Sequence, residues 1–416
     1  MAARQAKRRR LAALIGQHDF IHLMQQTVSR ENRTAGWMGI RRGHRARPLE
    51  WLVEKFIFLI SLSAILMIFL IFVFVGREAL PIVFGRMNSS LVRKVIPPEN
   101  LDQLTSRELR DYLELTEAQL GAMDQDTRKL LMELKVETAK DIPKDKDAAI
   151  NTTSWRYLLF PYQWSDYERP VSIWQPISQI PKYNIAPLII GSIKTTIIAL
   201  LFSVPMAIGA AIFVSQLAPA RLKEIVKPSV ELLAGIPSVV LGFFALIVMA
   251  SFLQSVGGYE SRLNSFVAGI ALGLAIIPVV FSIAEDALTS VPRSYTQAAL
   301  ALGSSRWQAA WHIVLPAALP GIFAAIVLGF GRAIGETMIV LMASGNASIV
   351  SWNGFDSTRT ITATIAAEVM EAVVGGPHYR MLFMIGSLLF LVTFVSNLFG
   401  ELFIHRLKSR LEGKAG

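Results

Sequence analysis

Residues 56–75 read FIFLISLSAILMIFLIFVFV, twenty positions without a charge. Inside a bilayer every backbone N–H and C=O has to be paired within the segment, so a run of this kind crosses as a helix. At 1.5 Å per residue it covers a hydrocarbon core of about 30 Å. Working outward along the chain, comparable runs lie at Thr195–Leu217, Leu232–Val256, Ser265–Ile283, Ala317–Ala343 and Met381–Ile404. With Phe56–Val75 they make six expected transmembrane helices and an all-α membrane protein. Composition agrees: 53% of the 416 residues are hydrophobic and 17% charged, too apolar for an ordinary soluble domain.

The absence of Cys excludes a disulfide frame, a thiolate metal site and a Cys nucleophile. The six His are scattered; only His18 and His22 have i,i+4 spacing, and they lie in a basic segment, so neither a metal site nor a cofactor is expected. The net charge of +10 reflects basic residues placed beside spans, not a nucleic-acid surface. The run Lys7–Arg10 reads as a contact for anionic lipid of the bilayer. The apolar stretch after it, Leu11–Ile15, is too short for a signal peptide.

Lys and Arg also set the expected orientation. Residues 1–55 hold twelve of them, and the positive-inside rule makes this segment cytoplasmic. Six spans then return the tail 406–416, with Arg406, Lys408, Arg410 and Lys414, to the same side of the plasma membrane. The loop 218–230, with Arg221, Lys223 and Lys227, also falls inside, whereas 257–264 holds only Arg262 and falls outside. Residues 76–184 become one large extracytoplasmic insertion. Thr105-x-x-Glu108 and Thr116-x-x-Gln119 are capping-box patterns there, and Leu109, Leu113, Leu115, Leu120, Leu130, Leu131 and Leu134 are candidates for a small helical core. Asp141–Asp147 reads as a solvated linker, and the aromatic stretch Trp155–Trp174 as a segment lying along the membrane surface. Two readings of the insertion stay open: a cap or spacer, and a docking surface for an external protein.

Residues 297–316 read QAALALGSSRWQAAWHIVLP, in a loop that the charge argument makes cytoplasmic. Small Ala side chains let a short helix seat closely against another protein. Gly303 suits a left-handed turn that ends it, and Leu315-Pro316 suits the first turn of the next span. The stretch resembles the EAA loop of ABC importer permeases, EAA-x3-G-x9-I-x-L-P, matching at six of its seven fixed positions: Ala298, Ala299, Gly303, Ile313, Leu315 and Pro316. Gln297 departs from the family's Glu. The resemblance implies a type I permease core over 185–405, with the loop 285–316 docking on a separate cytoplasmic ATP-binding subunit. The chain carries no G-x-x-x-x-G-K-[ST] phosphate loop of its own. It is therefore expected to be a transport subunit rather than an enzyme.

Three further stretches resemble the permeases of the bacterial phosphate importer, the PstC type more than the PstA type: ELLAGIPSVVLG at 231–242, GFGRAIGETMIVLMASGN at 329–346 and RTITATIAAEVMEAVVG at 359–375. They imply a second permease of the PstA type and an extracytoplasmic phosphate-binding protein as partners, and inorganic phosphate as substrate. Residues 1–55 and 76–184 go beyond the usual pattern. Rival readings are a permease for another oxyanion or small solute, a membrane sensor with an outer sensing domain, and a secondary transporter.

From the residues alone, Arg332 and Glu336 are the candidate substrate pathway. Arg332 lies fifteen residues beyond Ala317, about 22 Å along a helix. An ionisable group at that depth costs about 2.5–3.5 kcal/mol and is expected to face a water-filled path or a partner. A guanidinium presents a fork of donors suited to a pair of phosphate oxygens. Glu336, at i+4, is expected to pair with Arg332 when no anion is bound; the alternative is a purely structural ion pair. Lys194, Thr195 and Thr196 are secondary candidates, as anion attractors or as an interfacial Lys with its neighbours. Glu231, at the inner end of the third span, reads as a further pathway candidate or as a helix-start charge, and Gly235, Pro237 and Gly242 as a bend or close packing. Ser344 and Asn346 read as outer anchors or path liners. Thr360, Thr362 and Thr364 read as a polar segment facing the second permease.

Overall fold

The computed structural model describes residues 48–90, 105–113, 115, 117–140 and 146–411. His18, His22, Lys7–Arg10, Thr116 and most of the expected 141–147 linker lie outside the described residues. The chain divides into two units, residues 1–71 and 72–416.

Helix α1 runs over Pro48–Val83, longer than the charge-free run because nothing breaks it before Pro81. Its apolar side chains are exposed, from Leu52 to Phe74, which suits a helix solvated by lipid. Helices α2 (Ser106–Leu113), α3 (Glu117–Gly121) and α4 (Gln125–Lys140) follow. They close on a small core of Leu109, Leu113, Leu120 and Met132, with Leu115 and Leu131 packed against it. Leu130 and Leu134, expected inside, are exposed: the inward phase of α4 passes through Met132 instead.

A short helix α5 (Trp155–Leu159) precedes the two-residue antiparallel strands β1 (Trp174–Gln175) and β2 (Lys182–Tyr183). This part corrects two expectations. Asp147 is buried rather than solvated, and its carboxylate accepts from the Ser165 amide at 2.6 Å and the Ser165 hydroxyl at 2.8 Å. The aromatic stretch folds on itself: Trp164 and Trp174 are buried, and Tyr157, Tyr162 and Trp164 meet edge-on or tilted. Asp147 and Ser165 are eighteen residues apart, so no local pattern announces their pairing, and the aromatic run reads the same whether it meets lipid or itself.

The core of the larger unit begins at α6 (Ala186–Ile212), which a π-turn carries on to Leu217. Helix α7 (Ala220–Ala234) is separate from the third span; Gly235 and Pro237 break the backbone before α8 (Ser238–Phe244), which continues through a π-turn into α9 (Ala250–Gly257). Glu231 therefore belongs to α7 and is exposed, not at the start of a span. Next come α10 (Ser265–Ser290), α11 (Arg293–Ala301) and α12 (Arg306–Ala309), the last joined by a π-turn to α13 (Leu315–Gly335). Helices α14 (Met338–Ala343), α15 (Ile361–Glu368) and α16 (Pro377–Leu411) complete the described residues.

Among the described residues, six helical segments are long and apolar enough to cross a membrane: Leu52–Val83, Ala186–Leu217, Ser238–Gly257, Ser265–Ser290, Arg306–Gly335 and Pro377–Leu407. Helix α10 is the most buried and forms the centre of the unit. Ala268, Ala271 and Ala275 on it and Ala199, Ala207 and Ala211 on α6 are small enough for the backbones to approach closely. Lys227 of α7 fastens onto the end of α10 through Glu285 at 2.6 Å and Asp286 at 3.3 Å. At the other end, Trp174, Tyr183 and Leu158 of the insertion pack with Ile361, Met381 and Ile385 of α15 and α16.

Candidate functional site

The first part of the site is the turn between α11 and α12. Gly303 has φ of +89°, a conformation that L side chains rarely adopt. Around it the Ser304 amide donates to the Ala299 carbonyl at 3.1 Å and the Gly303 amide to the Leu300 carbonyl at 3.0 Å. This is a complete Schellman closure of α11. Ser305 then opens α12 with a capping box: its amide donates to Gln308 Oε1 at 2.8 Å, and its hydroxyl accepts from the Gln308 amide at 3.2 Å. The turn is thus set from both sides by local bonds.

Gln297 and Ala298 are exposed on α11, whereas Ala299 is buried within this chain. Leu302 is 89% exposed beside Gly303, and the rings of Trp307 and Trp311 stack 5.9 Å apart on an exposed face. Leu302, Gly303, Ser304, Gln308, His312 and Ile313 line an open groove. Leu315 and Pro316 open α13 with Pro in its first turn, as expected, but the membrane-crossing segment as a whole begins earlier. The span starts at Arg306, and Pro316 follows the π-turn Ala310–Val314. Pro has no N–H to give, and the wider turn accommodates its ring.

The second part lies where α13 stops. Arg332 occupies the last turn of α13, favourable for a cation, rather than the middle of a helix running to Ala343. Glu336 follows the helix with extended backbone (φ −70°, ψ 136°), so the two residues do not share a helix face. The expected Arg332–Glu336 ion pair is absent among the described residues. Glu336 Oε1 instead accepts from the amides of Thr337 at 3.0 Å and Met338 at 3.2 Å, capping the start of α14. Arg332 is exposed, with no hydrogen bond or ion pair among the described residues.

Behind the break, Ser192, Thr195 and Thr196 of α6 face Glu336, Thr360 and Thr362 across a closed pocket too tight for a water molecule. Thr362 donates to the Glu336 carbonyl at 2.8 Å, and the Thr360 hydroxyl accepts from the Ala363 amide at 3.2 Å. Ser192 donates to the Leu188 carbonyl at 2.9 Å and accepts from the Ile361 amide at 3.0 Å. Thr360, Thr362 and Thr364 are all buried within this chain, which corrects the expectation that they face a second permease. The seam is close: a Cβ on Gly191 would lie 2.2 Å from the Arg359 carbonyl oxygen. Lys194 is likewise buried and donates to the carbonyls of Ser351 at 2.9 Å and Asn353 at 3.0 Å, so it ties a loop and does not snorkel. Ser344 and Asn346 are turn residues, Asn346 with φ of +53°. Gly242 packs tightly on Met338, Ile339 and Met342 of α14.

A polar cluster that sequence reasoning missed joins the insertion to this region. Glu368 accepts from Trp174 Nε1 at 2.9 Å, pairs with Arg359 at 2.9 Å and lies 3.5 Å from His378 Nε2. Burial lifts its carboxyl above the usual Glu range, against the lowering effects of Trp174 and Arg359. Burial likewise raises the Tyr183 hydroxyl. Both charges fall in the quoted stretch 359–375, but the indole partner comes from almost two hundred residues earlier.

Residues 203–409 match the family described as "Binding-protein-dependent transport system inner membrane component". The "Probable ABC transporter permease protein YqgH" of Bacillus subtilis is 35% identical over 222 residues, 53% of this chain and 72% of its own length. The phosphate transport system permease protein PstC of Mesorhizobium japonicum is 33% identical over 256 residues, 57% of this chain and 77% of its own. Among solved structures, the MetNI methionine ABC transporter in inward facing conformations overlays 54% of this chain and 94% of its own, with TM-score 0.41 at 16% identity, too loosely to bear on fold or substrate. The identities over most of the relatives' lengths, together with six membrane-spanning helices, show that this chain belongs to the inner-membrane permease components of binding-protein-dependent ABC transporters.

Proposed function

We propose that the chain is the PstC-type permease of an ATP-driven importer of inorganic phosphate. The observation that carries the reading is Arg332: a guanidinium inside a membrane-crossing segment, exposed, and without a partner among the described residues. Three residues from the end of its span, such a charge is accommodated by the interface, by a water-filled path or by a facing subunit, and the phosphate reading takes the path. The fork of donors suits an oxyanion, and the relatives named as phosphate permeases point to phosphate. Under this reading a second permease of the PstA type covers the Arg332 face. A phosphate-binding protein delivers the anion on the side of the 76–184 insertion, and ATPase subunits act on the exposed face of α11 and the groove at Gly303. The termini and the 285–316 loop are cytoplasmic.

The test is Arg332→Lys in the assembled transporter. Lys keeps the charge but loses the fork, so ATP-dependent phosphate uptake falls by about tenfold or more while assembly and ATP hydrolysis persist. Uptake at the native rate would contradict a direct anion contact. The double variant Arg332→Gln/Glu336→Gln checks the same point without leaving a lone charge: native uptake there would remove both residues from the path.

A further inference from the structure

The hydroxyl-lined pocket behind the helix break contains one of the buried Ser and Thr hydroxyls that, like those of Ser203, Thr358 and Ser387, have no partner among the described residues. Thr195 is 1% exposed, and its Oγ1 has no hydrogen-bond partner among the described residues. Buried hydroxyls are normally paired, commonly to a backbone carbonyl, as Ser192 and Thr364 are here. Thr195 instead contributes an unsatisfied donor and acceptor to the wall of a pocket otherwise lined by Ser192, Thr196, Thr360, Thr362 and Glu336. Its apolar lining is limited to Leu272, Ala333, Ile334 and Val340, and it lies directly beyond the turn that bears Arg332.

We propose that Thr195, Thr196, Thr360 and Thr362, together with Glu336, form a subsite that takes a protonated oxyanion during passage and rejects a fully ionised one. This rests on the reading of the chain as an anion permease. The chemistry follows from the donor and acceptor inventory. A hydroxyl both donates and accepts, so a ring of them can donate to anionic oxygens and also accept from a P–OH group. A carboxylate such as Glu336 only accepts. It binds a hydrogen phosphate through the anion's own proton and repels sulfate, which at neutral pH has no proton to give. Sites built to hydrogen-bond a substrate hydroxyl discriminate strongly against an analogue that lacks it. Arg332 does not line this pocket; at the end of α13, four residues before Glu336, it is the cation placed to bring an anion to it.

In this structure the subsite is shut. Thr362 spends its proton on the Glu336 carbonyl, and no water fits between the walls. Admission of an anion therefore requires the 192–196 segment of α6 to separate from the start of α15 and the 336–337 break. These parts belong to different elements, so a rigid-body shift can part them without unfolding either.

Native absence of Cys makes the test direct. Thr195→Cys is near-isosteric and introduces the chain's only thiol. The assembled transporter is held with a non-hydrolysable ATP analogue, and modification by a small methanethiosulfonate is followed on this chain by intact mass. Inorganic phosphate is expected to slow the modification and sulfate at equal concentration to leave it unchanged. In parallel, Thr195→Val removes only the hydroxyl, and phosphate uptake is expected to fall by about tenfold, the worth of one hydrogen bond to a charged ligand, with assembly kept. A merely structural Thr predicts native uptake, since Val fills the same space. Equal protection by both anions, protection by neither, or a thiol unreachable in every nucleotide state would overturn the subsite while native phosphate uptake by the unaltered transporter leaves the permease reading standing. Failure of the unaltered transporter to take up phosphate would overturn both.

Discussion

At the scale of single residues, Gly303 shows how far a local signal reaches. A Cβ there meets nothing within 4 Å, so any cost of substitution comes from φ of +89° and not from crowding. Gly303→Val should cost about 1–2 kcal/mol or more in the turn, because a β-branched residue is strained at positive φ. Gly303→Asn should be tolerated, since Asn enters the left-handed region more readily. Co-purification of the ATPase subunit with each variant checks this. Retention should be lost with Val and kept with Asn, and equal retention would argue against a docking role for this turn. The turn was legible because every bond that sets it joins residues within five positions of one another. Glu336 was not. Its i,i+4 spacing from Arg332 implies a shared face only while the helix continues, and Gly335-Glu336-Thr337 carries no Pro to announce that it stops. Thr195 was visible as a polar residue in an apolar run, but its lack of a partner is a property of three elements together.

At the scale of elements, the apolar runs located all six spans, because length and absence of charge are direct requirements of a bilayer. Their ends were less legible. Leu232 looked like part of the third span because α7 presents a partly apolar face that packs on α10, although Gly235 and Pro237 separate the two helices. The joint between the insertion and α15 depends on Trp174 and Glu368, whose pairing no local pattern predicts. It yields a graded expectation. Glu368→Gln removes the charge but retains an acceptor for the Trp174 indole; Glu368→Ala orphans that buried N–H as well. Thermal unfolding should therefore place Ala below Gln by about 1–3 kcal/mol. Equal stability of the two would mean that the indole bond contributes nothing. Because burial raises the Glu368 carboxyl, the folded state holds its proton more tightly than the unfolded chain does. This group's contribution is complete below the unfolded carboxyl range and is lost as pH rises through the raised value.

At the scale of the whole molecule, the chain is a permease subunit of an ABC transporter, in which the ATPase is a separate subunit. Orientation is the first test. Ser304→Cys in the native Cys-free background should resist an impermeant thiol reagent added outside intact cells and react after permeabilisation. Labelling from outside would reverse the topology. The central claim is tested most directly by uptake of labelled inorganic phosphate into proteoliposomes that carry the assembled transporter with its binding protein. Accumulation of phosphate that requires ATP on the side of the Gly303 turn is the expected result. Absence of phosphate accumulation from a complex that hydrolyses ATP and accumulates a different solute would contradict it.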